Sequence, residues 1–276
     1  MRFQITQSDV LSPENISNLC FVTFANKSYM KTDRIAKQVE ELGMFDRIMQ
    51  LNDDDIREYI EKHSDFIKAH RPGFGLWIWK PKVIYDTLNR MNDGDILVYC
   101  DAGMYVNKEG KDRLRFYLSK LDKHDMVTFS ASDRYKAQEF VKNDAIMAYH
   151  PAFNNEWTTM CYAGVMIVKK TTMTMNLIRD WLGLCENHHF IDKSNSITCK
   201  DLRHYRGNDC DNGLFNLCLS KYHDVVCKIH PDEINLYLSD GRQIAHDDRV
   251  IQKEVDWSSL DRVPFQVRRM TPKFGY

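Results

Sequence analysis

The feature that most constrains this chain is an alternation, carried from residue 20 to residue 229, of short apolar β-branched runs with stretches whose apolar residues recur at helical spacing. CFVTFA at 20–25 reads as a buried strand. Over 32–42 the apolar positions Ile35, Ala36, Val39 and Leu42 share one helical stripe, and Gly43 supplies a C-cap. FDRIMQL at 45–51 is a second strand, and 53–68 reads as one helix with acids in its first turn and Ile56, Ile60 and Ile67 on one face. HRPGFGLWIWKP at 70–81 breaks the pattern with proline, glycine and tryptophan before a helix resumes over 82–91.

The strand DILVYC, a charged helix over 108–121, the strands MVTFSAS at 126–132 and CYAGVMIVKK at 161–170, and a helix running to about Glu186 continue the alternation. Residues 187–208 are polar and read as a flexible loop, 209–222 as a compact amphipathic helix, DVVCKI as a final strand, and the tail after Ile234 as irregular. This pattern predicts an α/β fold: a mainly parallel central sheet flanked by helices, with ligands bound at the carboxyl ends of its strands.

With 276 residues and 43% hydrophobic content, one domain spanning 1–276 is expected. A net charge of -1 supplies no basic field for nucleic acid or an anionic membrane, so small molecules or neutral polymers are the expected partners. The N-terminus lacks the apolar core of a signal peptide and no run of about 18 apolar residues exists to span a bilayer, so a soluble, cytoplasmic protein without a transmembrane segment is expected. The eight cysteines are scattered without a CxxC pair, and several lie inside apolar runs, which argues against a zinc site or a disulfide framework.

DILVYC delivers Asp101 to the end of a strand, followed by Ala102 and Gly103. Asp and Gly also favour plain turns, so position alone does not make this a site. The other segments decide. VTFAN at 22–26, the strand ending at Asp101, CYAGVMIVKKT at 161–171 and DCDNGLFNLCLSKY at 209–222 follow one another in an order that resembles glycosyltransferases of the GT-A fold. The resemblance is to the glycogenin and lipopolysaccharide galactosyltransferase type, and to bacterial and large-virus sugar transferases carrying a WIWKP segment. It covers roughly residues 20–230.

That resemblance implies a nucleotide-sugar half over about 18–132, an acceptor half over about 133–235 and a C-terminal extension over about 236–276. Thr23, Ala25 and Asn26 would hold the nucleobase and ribose. Asp101 stands as the first acid of an Asp-x-Asp motif that binds Mn²⁺ or Mg²⁺ under the donor diphosphate, and Gly103 replaces the second. His230 falls in the rough place of a histidine metal ligand, though a lone histidine is also an ordinary structural residue. Lys80 would neutralise the diphosphate directly. Trp77 and Trp79 beside it serve either a ligand or the core.

Ala163 and Gly164 resemble the small pair against which the donor sugar lies, or simply allow close packing. Asp211 and Asn212, with Asn216 four residues on, resemble the Asp-Gln-x-x-x-Asn of retaining enzymes, in which the acid contacts donor hydroxyls and the amide lies by the anomeric carbon. Helix caps also use such acids. Segments 150–160, through Trp157, and 187–208 would shape the acceptor site.

The expected activity is therefore transfer of a hexose or pentose from a nucleotide sugar, a UDP-sugar first, to a glycan hydroxyl with retention. Two alternatives are an inverting enzyme with Asp211 as base and a binding module that lost catalysis with the second acid. A nucleotidyltransferase would need a glycine-rich phosphate loop after the first strand, where VTFANKSY stands instead.

Overall fold

The structure, a computed structural model, describes residues 18–28, 32–131, 135–155, 158–229, 236–238, 243–244, 250–251 and 263–269. Its strands are β1 (Leu19–Phe24), β2 (Arg47–Leu51), β3 (Ile96–Cys100), β4 (Tyr105–Val106), β5 (Met126–Ser130), β6 (Cys161–Lys169), β7 (Val226–Ile229), β8 (Leu236–Leu238), β9 (Gln243–Ile244), β10 (Val250–Ile251) and β11 (Phe265–Arg269). Six form the central sheet in the order β2-β1-β3-β6-β5-β7. β1 runs parallel to β2 and β3, and β5 parallel to β7, while β6 lies antiparallel between β3 and β5. The α/β class with a mostly parallel sheet is as the alternation requires, with one strand reversed.

Both faces of this sheet are covered, which is why its strands are apolar at nearly every position. Helices α1 (Asp33–Leu42), α2 (Arg57–Lys62), α3 (Ser64–Ala69), α4 (Lys80–Asn89), α5 (Lys111–Ser119), α6 (Asn143–Tyr149), α7 (Thr172–Glu186), α8 (His188–Ile191) and α9 (Cys210–Lys221) supply the cover. Leu19, Phe21, Val98, Val165 and Ile167 point to the face packed by α1 and α5. Val22, Phe24, Leu97, Tyr99 and Met166 point to the face packed by α4, α7 and α9. Gly43, at φ 61°, closes α1 with its N–H on the Val39 carbonyl, as its position after the stripe predicts.

Four sequence readings are corrected. The segment 53–68 is not one helix: a 3₁₀ turn at Asp53–Ile56 precedes α2 and α3, which break apart at His63. Helix α9 is not amphipathic, since ten of its twelve residues are buried, because it passes between β6 and α7. The polar segment 187–208 contains α8 and is laced to buried Asp144, which accepts hydrogen bonds from the Ile197, Thr198 and Cys199 amides. The C-terminal tail is not wholly irregular, for β8–β11 join β4 in a second sheet of order β10-β9-β8-β11-β4. That sheet grips the chain just past Asp101, where Val106 pairs with Phe265 and Tyr105 with Gln266.

Candidate active site

Three elements from distant parts of the chain deliver Lys80, Asp101 and Asp211 to one point. Strand β3 ends at Cys100, and the Asp101 N–H continues its pairing by donating to the Gly164 carbonyl of β6 at 2.8 Å. Helix α4 begins with Lys80, and α9 begins one residue before Asp211. The Lys80 Nζ stands 3.2 Å from Asp101 Oδ1 and 3.1 Å from Asp211 Oδ2. Tyr99, two residues before Asp101 and so on the same side of the strand, donates its hydroxyl to Asp101 Oδ1 at 2.6 Å. The Lys80 and Asp211 side chains are each 4% exposed, and Asp101, at 25%, is the member of the group that reaches solvent.

One ammonium therefore serves two carboxylates. Burial alone would push Lys80 down, but Asp101 and Asp211 together outweigh it and hold the ammonium above the ordinary lysine range. Burial pushes the Asp211 carboxyl up to about 7, Lys80 opposes the rise, and the nearby Asp101 and Asp209 charges add to it. The Lys80 ammonium, 3.1 Å from Asp211 Oδ2, is the one polar partner that this oxygen has among the described residues. A buried acid so placed can exchange a proton or accept a hydrogen bond from a ligand hydroxyl. Its backbone is fixed by Trp181, whose indole N–H donates to the Asp211 carbonyl at 2.9 Å.

Backbone strain collects around the same three residues. Among the described residues the non-glycine positions with left-handed φ are Phe74 (53°), Leu76 (55°), Trp77 (60°) and Cys210 (50°). The first three lie just before Lys80, and Cys210 directly precedes Asp211. Each such residue costs roughly 1 kcal/mol or more relative to ordinary backbone, so the fold spends stability where it presents the buried pair.

The other expected site residues divide into groups. Ala163 and Gly164 do lie beside Asp101, yet a Cβ on Gly164 would stand 2.2 Å from the Tyr162 ring, a packing demand in itself. The Asn212 amide is engaged at both ends, accepting from the Ala163 N–H at 2.8 Å and donating to Asp209 at 2.7 Å. Asn216 likewise clasps β6, accepting from the Cys161 N–H at 2.7 Å and donating to its carbonyl at 2.9 Å. Both amides thus weld α9 to the sheet. Thr23 is fully buried and its hydroxyl is without a hydrogen-bond partner among the described residues.

Ala25 borders an open cleft of about 250 Å³, lined also by Lys27, Thr32, Gln50, Leu51 and Asn52, at the carboxyl ends of β1 and β2. Asn26 shapes the adjoining turn by donating to Asp53 at 2.7 Å and accepting from the Ser28 N–H at 3.0 Å. Gly103 is exposed in the turn after Asp101. His230 and Trp157 lie outside the described residues. Sequence reasoning missed Tyr99, although a lone tyrosine two positions before a strand-end acid is a legible signal.

The described residues form no all-protein cage for a divalent cation. Asp101 Oδ1 already receives Tyr99 and Lys80, Gly103 contributes no ligand, and no group of three or more histidine, cysteine or acidic side chains that could hold a metal occurs among the described residues. A Mg²⁺-like ion beneath a diphosphate takes one or two carboxylates, with phosphate and water oxygens completing its shell, and His230, the other expected ligand, lies outside the described residues.

No family model matches the chain, and neither does any curated protein. Among solved structures it is similar to a glycosyltransferase involved in the glycosylation of the major capsid of PBCV-1, at 9% identity and TM-score 0.41 over 90% of this chain and 91% of that one. It is similar to mouse xyloside xylosyltransferase 1, at 9% identity and TM-score 0.42 over 94% and 88%. A 4-diphosphocytidyl-2C-methyl-D-erythritol synthase from Anaerococcus prevotii also resembles it, at 12% identity and TM-score 0.36 over 78% and 89%. At that distance the site itself must carry any functional reading. No helix among the described residues is long and apolar enough to cross a membrane.

Proposed function

We propose that the protein is a glycosyltransferase that moves a sugar from a nucleotide sugar, a UDP-sugar first, to a hydroxyl of a glycan acceptor. The observation that carries this reading is the shared Lys80 ammonium between Asp101 and Asp211 at the carboxyl end of β3. The cleft at the ends of β1 and β2 would take the nucleoside, with Ala25 at its edge and Asn26 in the adjoining turn. The diphosphate would compete with the two carboxylates for Lys80, and Asp101, Ala163 and Gly164 would face the sugar. In the reaction the bond from the anomeric carbon to the diphosphate oxygen breaks and one to the acceptor oxygen forms. The acceptor proton goes to the leaving diphosphate if configuration is retained.

A second reading of the stereochemistry has its own support. Asp211 carries a carboxyl raised to about 7 by burial, and the Asn212 amide, needed beside the anomeric carbon in the retaining scheme, is already committed to Ala163 and Asp209. In an inverting enzyme Asp211 would take the acceptor proton as general base.

Nucleotide release from UDP- and GDP-sugars, with Mn²⁺ and with EDTA, tests the proposal in the native chain and in Asp101→Ala and Lys80→Met. Release lost in both variants supports it, and the anomeric form of the product, read by NMR, separates the two schemes. Tight donor binding with no turnover in the presence of glycan acceptors would instead indicate a binding module.

A further inference from the structure

Up to its last two residues, which open α4, the segment HRPGFGLWIWKP belongs to neither the sheet nor a regular right-handed helix, and its geometry has a single product. Five consecutive residues, Gly73 through Trp77, adopt left-handed φ between 53° and 84°. They close a left-handed turn in which Leu76 N–H donates to the Pro72 carbonyl at 2.9 Å and Trp77 N–H to the Gly73 carbonyl at 3.1 Å. The Lys80 N–H then donates to the Trp77 carbonyl at 2.9 Å, so α4 starts directly from the turn.

Gly73 is the residue on which both tryptophans converge. The Trp77 ring lies so close over it that a Cβ there would stand 2.3 Å away, and φ of 61° disfavours any side chain as well. Trp79 donates its indole N–H to the Gly73 carbonyl at 3.0 Å and stacks on Phe24, the last residue of β1, with ring centroids 4.2 Å apart. The turn is therefore pinned to the sheet through Trp79 and folded upon itself through Trp77, and Lys80 emerges from it toward Asp101 and Asp211.

We propose that Gly73 and Trp79 are positioning residues, which act by holding the left-handed turn that delivers Lys80 to its two carboxylates. On this view Trp79, which is also part of the core, holds the turn in place rather than serving as a ligand platform. The inference rests on the transferase reading only where nucleotide binding is the readout, so a second readout uses no ligand.

Amine acylation by acetyl N-hydroxysuccinimide, followed by peptide mass spectrometry, reports the accessibility of each lysine in the folded full-length chain. In the native protein Lys80, buried between two acids, and Lys142, fully buried elsewhere, are expected to resist labelling, whereas Lys68, 76% exposed, should react. Trp79→Phe removes the indole N–H together with one of the two fused rings and keeps an aromatic ring to face Phe24, and Gly73→Ala introduces the clash with Trp77. Both are expected to raise labelling of Lys80 by about tenfold, as for a local opening, with Lys142 still protected. Unchanged protection of Lys80, or loss of protection at Lys142 in step with it, would overturn the proposal.

Calorimetric titration with UDP supplies the second arm. Trp79→Phe is expected to weaken UDP binding about tenfold in the native background and less than about twofold in a Lys80→Met background, because residues acting through one another are not additive. Equal losses in both backgrounds would count against positioning. Failure of the native chain to bind UDP would sink the donor reading and leave the labelling result to decide the role of Gly73 and Trp79.

Discussion

Lys80 Nζ lies 3.1 Å from Asp211 Oδ2, with both side chains 4% exposed, so neither charge has water as a substitute partner. Removing one member of such a pair strands the other, at a cost of about 3–5 kcal/mol, whereas removing both charges together costs far less. Lys80→Met is expected to destabilise the protein by about that much at pH 8, and the double variant Lys80→Met with Asp211→Asn to recover most of it. Urea denaturation of the four proteins checks this, and additive losses would refute a direct coupling of the two residues.

A carboxyl raised to about 7 by burial makes Asp211 a source of pH dependence whose sign is fixed. Its native pKa exceeds its unfolded value of roughly 4, so between these pH values the native state binds more protons than the unfolded one. The associated stability is fully present below about pH 4 and is lost as pH rises through about 7. Relative to Asp211→Asn, which has no titrating group, the native protein should therefore lose stability across pH 4–7. Denaturation midpoints at several pH values would show it, and a constant offset between the two proteins would contradict it.

The central α/β sheet was legible because buried parallel strands and one-sided helices leave different periodicities, as in CFVTFA and the Ile35, Val39, Leu42 stripe. The reversal of β6 was not, since a strand buried on both faces reads alike in either direction. Nor was the tail, whose strand Phe265–Arg269 is recognised only by its pairing with Tyr105–Val106 on one side and Leu236–Leu238 on the other. Within the site, Lys80, Asp101 and Asp211 were each nameable from sequence. Their meeting was not, because it depends on three left-handed non-glycine residues before Lys80 and one before Asp211, which local propensity argues against.

Asp144 illustrates what a polar segment hides. Its carboxylate accepts from the Ile197 N–H at 2.6 Å, the Thr198 hydroxyl at 2.6 Å and the Cys199 N–H at 2.8 Å, and pairs with His189 Nε2 at 2.8 Å. Burial works against ionisation, but these donors prevail and hold the carboxyl below the usual range. A depressed pKa gives stability that is present above roughly pH 4 and is lost as pH falls below it. Asp144→Ala should lower stability by about 2–3 kcal/mol and speed amide hydrogen exchange at Ile197, Thr198 and Cys199. Unaltered exchange there would mean that the segment is held by other contacts.

The chain beyond Asp101 is held from the far end of the sequence. Phe265 is fully buried, pairs with Val106, and meets the Phe129 ring edge-on with centroids 6.2 Å apart. Next to it the Pro264 carbonyl accepts from the Asn107 N–H at 2.9 Å, and Gly110 lies so close that a Cβ would stand 2.4 Å from Pro264 Cα. Phe265→Ala is expected to cost about 3–5 kcal/mol through the cavity it leaves. Gly110→Ala should add strain at the same contact, so the two losses should combine non-additively. Because β11 backs β4, hydrogen exchange at Tyr105 and Val106 should quicken in both variants while that of Val127 in β5 stays slow. A uniform rise across the central sheet would show instead that the C-terminal strand contributes only to global stability.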